Sequence, residues 1–293
     1  MINETVTCDC CDATNPKDLM QVRCYASQEL LNVVSCVNCG LVFLSPKPDK
    51  SKGLAYFDNA YSQAEGFEDH SYYINHEAIF ERNKNRFKLI DGLKTDGKKI
   101  LDFGAGQGHF VKVAQDKGWH ATGLELSEQA IIAAKKNFDI RLLDSTDKLG
   151  DNKFDVITLW DVIEHLEYPK EILVMLSKFL KPDGYFIIET SNIDSLDYLA
   201  NKKKWGYWHI DHYFYFSEKT LKLLLDNIGF KTVKDGTVIY SHEKSISKTF
   251  DKIKRIFTNP GQFIINLKKR LLAFKYKNMP SNSLMTVVAT RKS

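Results

Sequence analysis

Ile100-Leu101-Asp102-Phe103-Gly104-Ala105-Gly106-Gln107-Gly108-His109-Phe110 runs from an apolar strand through a glycine turn into a helix, and the rest of the chain is read outward from it. Residues 98–103 have the short apolar character of a buried strand, while Phe110, Val111, Val113 and Ala114 recur as on the packed face of a helix. Glycines at 104, 106 and 108 permit backbone angles and close approaches that a Cβ would block, so main-chain N–H groups and the helix start face a ligand. The turn reads as a cofactor cradle; the plainer alternative is a turn that only lets a helix pack closely on a strand. Its spacing, G-x-G-x-G with Asp102 just ahead, departs from the G-x-G-x-x-G of dinucleotide folds and disfavours a nicotinamide cofactor. The next predicted strand, 120–125, ends in Glu125, where a carboxylate accepts hydrogen bonds from both ribose hydroxyls of an adenosine.

All six cysteines lie in the first 39 residues: Cys8, Cys10, Cys11, Cys24, Cys36 and Cys39. Cys8-x-x-Cys11 and Cys36-x-x-Cys39 make two knuckles that place four thiolates tetrahedrally around Zn²⁺ at about 2.3 Å each. Such a site is coordinatively closed, so it staples a segment too short to bury a core of its own. Disulfides are the alternative, and they suit an oxidising compartment. The N-terminus lacks the basic-then-apolar pattern of a secretory signal and no apolar run is long enough to span a bilayer, so the expected location is the cytoplasm. Spacing leaves Cys10 and Cys24 unassigned, with Cys10 a competitor for the metal. A formal net charge of +4 over 293 residues is too small to argue for a nucleic-acid partner.

Pro46 and Pro48 mark a boundary after a zinc-binding module at 1–48. A polar, tyrosine-rich linker or lid at 49–97 follows, with a helix expected over 74–93. From 98 to 293 strands alternate with helices, the strands falling at 98–103, 120–125, 140–143, 154–159 and 184–190, as in a parallel sheet covered on both faces. Helices are expected from Ser127 to Lys136 and from Ser217 to Ile228, each serine being a good N-cap.

Four stretches together resemble the class I S-adenosylmethionine-dependent methyltransferases. Leu101-Asp102-Phe103-Gly104-Ala105-Gly106-Gln107-Gly108 resembles the first motif of that family, Gly123-Leu124-Glu125-Leu126-Ser127 the second, and residues 154–166 the fourth. Leu180-Lys181-Pro182-Asp183-Gly184-Tyr185 resembles the turn before its fifth strand, and the likeness covers roughly residues 70–240. It implies a Rossmann-like α/β fold: a mostly parallel seven-stranded sheet with helices on both faces, ending in an antiparallel hairpin, plus a small N-terminal zinc ribbon. It also implies S-adenosylmethionine held by Asp102, Gly104, Ala105, Gly106, Gly108, Glu125 and Leu126, with Asp144 beside the adenine and Trp160 and Asp161 near the methionine portion. The run 39–48 resembles the end of a zinc-binding module in a subset that includes deoxysugar C-methyltransferases. That likeness implies a sugar-type small-molecule acceptor. The methyltransferase resemblance implies that the segment at 49–97 caps the cofactor and brings Tyr72 or, as the catalytic candidate, Tyr73 to the pocket; the plainer alternative is that these tyrosines pack the linker helix on the core.

Methyl transfer from a sulfonium needs alignment and loss of the acceptor proton, and a general base typically contributes a factor of about 10² to 10⁴. His165 follows the fourth predicted strand and falls at the carboxyl edge of the sheet, where open α/β folds bind ligands. The second candidate lies in Trp205-Gly206-Tyr207-Trp208-His209-Ile210-Asp211-His212-Tyr213-Phe214-Tyr215-Phe216-Ser217, which packs seven aromatic rings and two histidines into thirteen residues. Asp211-His212 before Tyr-Phe-Ser resembles the acid-His pair of the sugar C-methyltransferases, with Asp in place of the usual Glu. Aromatic core and backbone-bonded histidine are the structural alternatives at these two places.

A basic insertion at 244–283 interrupts the final hairpin, with cationic residues spread over 248–277 among apolar ones, as in amphipathic helices. Contact with an anionic membrane surface or an anionic substrate is one expectation for it, and a solvated face over a packing stripe is the other. The leading expectation is methylation of a sugar or sugar-derived small molecule, nucleotide- or lipid-linked, at oxygen before carbon or nitrogen. A nucleotide-dependent oxidoreductase and a nucleic-acid-binding protein are the readings from other classes; no nucleic-acid partner is expected, and the sequence sets no oligomeric state.

Overall fold

The computed structural model describes residues 6–14, 16–24, 27–49, 76–236, 268–269, 271–273, 275–276 and 283–292, with Ile265 and Pro280. Strands β1 (Lys17–Arg23), β2 (Leu30–Ser35) and β3 (Val42–Leu44) form an antiparallel meander behind the cysteine knuckles. Three short strands bury too little to stand alone. A fourth arrives from far along the chain: β8 (Phe214–Tyr215) pairs antiparallel with β3 through Val42↔Tyr215 and Phe43↔Phe214. The sheet therefore crosses the boundary that the prolines mark in the sequence.

Helix α1 (His76–Asp91) buries Ile79, Asn83, Arg86, Phe87 and Ile90, a stripe at helical spacing. The α/β alternation follows as β4 (Lys99–Phe103), α2 (His109–Asp116), β5 (His120–Leu124), α3 (Glu128–Phe138), β6 (Phe154–Trp160), α4 (Pro169–Ser177) and β7 (Leu180–Ser191). After the short α5 (Leu196–Asn201) and β8 come α6 (Glu218–Asn227), β9 (Phe230–Gly236) and β10 (Leu284–Arg291). The main sheet runs β5-β4-β6-β7-β10-β9. Its first four strands are parallel, and β10 lies antiparallel between β7 and β9. Every residue of β6 is buried, as a central strand covered on both faces requires. Both predicted caps form: Ser127 Oγ accepts from Ala130 N–H, and Ser217 makes a reciprocal capping box with Thr220.

Among the described residues the main sheet has six strands, not the seven expected. The segment 140–143 contributes one parallel bridge, Leu124↔Leu143, with Leu143 N–H to Gly123 O at 2.9 Å and Glu125 N–H to Leu143 O at 2.8 Å. Ile140 and Leu142 are drawn into a cluster with Ala105, Val111 and Ala134, and the Ser145-capped turn at Thr146–Leu149 ends the run before a ladder can grow. The basic insertion, with the expected contact at 248–277, lies largely outside the described residues; Lys268 donates to the Ala200 carbonyl at 2.8 Å and Lys269 pairs with Asp197. No helix among the described residues is long and apolar enough to cross a membrane.

The glycine loop and this edge of the sheet are packed against Gly123. A Cβ there would meet Leu142 at 2.4 Å, Val111 at 2.8 Å and Ala105 at 2.9 Å. Gly123→Ala should cost about 1–3 kcal/mol by overpacking. The check is the midpoint of thermal or urea unfolding, and an unchanged midpoint would contradict this packing.

Candidate active site

The turn after β4 is built on left-handed backbone. Gly104, Gly106 and Gly108 have φ of +74°, +51° and +78°, and a Cβ on Gly104 would come within 2.5 Å of Val162. The N–H groups of Gly104 and Ala105 both donate to the Leu124 carbonyl, at 2.8 and 2.9 Å, which fixes the loop to the end of β5. Glu125 sits opposite: its Oε2 accepts from Gly106 N–H at 2.7 Å, and its Oε1 from the N–H groups of Leu126 and Ser127 at 2.7 and 2.9 Å. Three main-chain donors thus aim this carboxylate along the loop, with the exposed Leu126 side chain beside it. Asp102, 2 % exposed, accepts from Thr158 Oγ at 2.7 Å; burial raises its pKa to about 7, against the pull of Thr158 and Arg86. Gln107 Oε1 in the same loop is buried with no hydrogen-bond partner among the described residues. A cradle that a Cβ would fill, an aligned acid and an orphaned amide oxygen fit the adenosine and amino-acid ends of S-adenosylmethionine. Asp144 is exposed and paired with Lys148 at 2.7 Å.

Trp160 and Asp161 end β6 and meet two residues that motif reading passed over. Asp161 adopts φ +56°, and its carboxylate receives Arg82 at 2.6 Å and Arg86 at 2.5 Å. The same guanidinium groups reach the fully buried Glu189 of β7, at 3.0 and 2.6 Å, and Arg86 stacks over the Trp160 ring at 4.9 Å. Burial pushes the Asp161 pKa up, but the two arginines outweigh it and hold the carboxyl below its ordinary range. Their signal in the sequence was an i, i+4 arginine pair on the apolar face of α1, where a cation must find buried acids.

His165 and Asp211-His212, two separate candidates in the sequence, form one cluster. His165 Nδ1 lies 2.9 Å from the Asp211 carbonyl oxygen and 3.4 Å from Asp211 Oδ2, and the rings of His165 and His212 meet edge to face at 4.5 Å. Glu164, 1 % exposed, joins them, and burial raises its pKa to about 7. Burial, with His165 and His209 nearby, lowers His212 well below the usual histidine range, so its imidazole is neutral. The aromatic run around His212 is chiefly core. Trp205, Trp208, Phe214, Tyr215 and Phe216 are at most 1 % exposed, and Trp205, Trp208 and Tyr215 pack between the ribbon sheet and α5. Tyr207 is only partly buried and tilts against His212 at 6.4 Å. Tyr72 and Tyr73 lie outside the described residues.

Cys8, Cys11, Cys36 and Cys39 converge with their sulfurs within 4.8 Å of one another and form no disulfide. Cys8–Cys39 and Cys11–Cys36 are each separated by 3.6 Å. A tetrahedral ion with 2.3 Å bonds sets sulfurs about 3.8 Å apart, so the arrangement fits Zn²⁺. Cys10 stands outside the set, its Sγ 3.5 Å from the Thr220 carbonyl of α6, and Cys24 caps the β1–β2 turn through Ser27 N–H.

Residues 74–235 match the family model described as a methyltransferase domain. A ubiquinone biosynthesis O-methyltransferase of Thiobacillus denitrificans is 30 % identical over 131 residues, 41 % of this chain and 56 % of that protein. A protein of the same name in Idiomarina loihiensis is 31 % identical over 119 residues, 37 % of this chain and 46 % of the relative. The match thus spans about half the length of these curated relatives. A SAM-dependent methyltransferase from Archaeoglobus fulgidus shares the fold at a TM-score of 0.51 and 20 % identity, covering 76 % of this chain and 100 % of that one. The glycine cradle, its facing acid and a sheet of this order are those of the family matched over more than half of the sequence, and the chain belongs to the methyltransferase-domain family.

Proposed function

We propose that this protein is an S-adenosylmethionine-dependent O-methyltransferase acting on a hydroxyl of a small molecule. The observation that carries the reading is the pairing of the two ends of the site: a glycine cradle faced by Glu125 at one end, and the neutral His212 packed against His165 at the other. Oxygen as acceptor also agrees with the name of the curated relatives. Their name favours an aromatic hydroxyl over the sugar expected from the N-terminal likeness.

S-adenosylmethionine supplies a methyl group already activated on a sulfonium. The chain's own residues bind it, orient it and promote loss of the acceptor proton. Glu125 holds the ribose hydroxyls, the loop amides approach the donor without an intervening Cβ, and the His165–His212 pair draws the proton from the hydroxyl as the O–C bond forms and the C–S bond breaks. We further propose that the four cysteines hold one structural zinc. Its reach extends to the active site, because Tyr213 donates its N–H to the Glu164 carbonyl at 2.8 Å and accepts from Leu44 N–H at 2.9 Å.

Glu125→Ala should weaken binding of S-adenosylhomocysteine by at least about tenfold, the cost of a hydrogen-bonded carboxylate; calorimetry showing unchanged affinity removes the assignment. His212→Ala should lower kcat by about 10² to 10⁴ with donor affinity retained. A variant as fast as the parent against a panel of catechols, phenols and sugars would remove His212 from the chemistry. Purified protein should carry one tightly held zinc by mass spectrometry, lost in Cys36→Ser. Stripping it should abolish turnover while leaving donor binding in place, and full turnover of zinc-free protein would break the link from ribbon to site.

A further inference from the structure

The sequence carries no acid from Lys252 to Ser293, and none between Asp197 and Asp211, so the cations in these two stretches are unopposed along the chain. The fold lays the two stretches against each other. Lys268 Nζ donates to the Ala200 carbonyl at 2.8 Å, Lys269 pairs with Asp197, and Leu196 N–H donates to the Pro280 carbonyl at 2.9 Å, which holds this part of the chain at both ends of α5. Asp197 is spent on Lys269 and on Ser283 Oγ. Lys202, Lys203 and Lys204 follow α5 directly, and all three are exposed. The Lys202 carbonyl accepts from Trp208 Nε1 at 2.9 Å, which fixes the lysine turn to the loop that leads to Asp211 and His212.

The face beside these lysines is not purely polar. Residues 268, 269, 271–273 and 275 are helical, and Lys268, Leu271 and Lys275 fall at i, i+3 and i+7 on one exposed face. Lys269 and Leu272 lie on the inner side and are half-buried. Leu271 is 66 % exposed and Tyr276 39 %, with Lys275 Nζ 5.3 Å from the Tyr276 ring centre. A lone exposed leucine is ordinary, but one set between lysines on a helix face, with a tyrosine beside it, has the pattern of an interfacial helix. No helix among the described residues is able to span a bilayer, so a contact of this kind rests on a membrane and does not cross it.

We propose that the lysine turn Lys202–Lys204 and the adjoining face of Lys268, Leu271, Lys275 and Tyr276 form a docking surface for an anionic phospholipid membrane. The ammonium groups meet lipid phosphates and carboxylates, while Leu271 and the Tyr276 ring enter the boundary between headgroups and acyl chains. Each lysine brought close to an anionic bilayer strengthens partitioning by about fivefold, an attraction that salt screens. A nucleic-acid backbone would answer the lysines and leave Leu271 in water, so the leucine decides for lipid. This surface goes beyond the methyl-transfer reading and does not depend on it.

The test sediments the full chain with vesicles of phosphatidylcholine alone, or mixed equally with phosphatidylserine. Expected is saturable binding to the anionic vesicles, at least about tenfold tighter than to the neutral ones and lost as salt is raised. Joint replacement of Lys202→Gln, Lys203→Gln and Lys204→Gln should weaken it at least about tenfold, and Leu271→Gln at least about threefold, while Leu271→Met, which keeps an apolar side chain, should bind as the parent does. Circular dichroism of each variant reports that the fold persists, and S-adenosylhomocysteine binding equal to the parent's separates this surface from the donor site. No preference of the parent for anionic vesicles, or undiminished binding by either the triple variant or Leu271→Gln, overturns the proposal. So does capture of duplex RNA or DNA by a parent protein that ignores the vesicles, because the lysines then belong to a nucleic-acid partner. Lipid binding by a chain without affinity for S-adenosylhomocysteine overturns the methyl-transfer reading and leaves the docking surface standing.

Discussion

The backbone of Tyr213 is the joint on which the molecule turns. Its carbonyl accepts from Leu44 at the end of β3, its N–H donates to the carbonyl of Glu164, and the next two residues continue as β8 in the ribbon sheet. Each such bond contributes only about 0.5–1.5 kcal/mol, yet together they lock a loop between two sheets with no slack. Asp211 and His212 immediately precede the joint, and the 3₁₀ turn carrying Glu164 and His165 lies on its other side. The ribbon is therefore a jig that holds the loop of Asp211 and His212 against the turn of Glu164 and His165. The knuckle around Cys10 is in turn tied to α6 by Asn227 Nδ2, which donates to the Cys10 carbonyl at 2.6 Å, and by Lys170 with Asp12 at 2.6 Å from α4.

A second constraint acts from the opposite flank. Arg82 and Arg86 carry the charge of α1 into the ends of β6 and β7, where Asp161 and Glu189 neutralise it. Arg86 and Glu189 are buried while Arg82 and Asp161 are partly exposed, and breaking one partner of a buried pair typically costs about 3–5 kcal/mol. Its value is positional: α1 is pinned where the sheet opens, and Asp161 is held charged in a left-handed turn beside the glycine loop. Burial has the opposite outcome at Asp102 and Glu164, whose carboxyls are raised to about 7 where no arginine outweighs it.

Much of this was legible in the residues because it is local. Glycines at 104, 106 and 108 announce a turn that only they can make, Glu125 follows one strand later, and Ser127 and Ser217 start their helices where a serine before an apolar stripe should. The cysteine spacing picked out the four convergent sulfurs, and Cys10 falls outside them because its neighbour is α6. The strand at 140–143 misled for a local reason too: its apolar residues looked like a ladder but are spent on packing under the glycine loop. The aromatic density at 205–216 gave the right place and the wrong emphasis, since most of those rings fill the seam between the sheets.

The sequence by itself determined the alternation of strands and helices over most of 98–291, the glycine turn and the identity of the four cysteines, because each is written in nearest-neighbour chemistry: backbone angles, periodicity and spacing. Only the tertiary structure decided that His165 and Asp211-His212 are one cluster with Glu164, that Arg82 and Arg86 close on Asp161 and Glu189, and that a strand from beyond the fifth helix completes the ribbon. Those pairings join residues far apart along the chain through backbone hydrogen bonds and buried charges. A bond of that kind depends on where two segments meet in space, and no pattern within either segment records it.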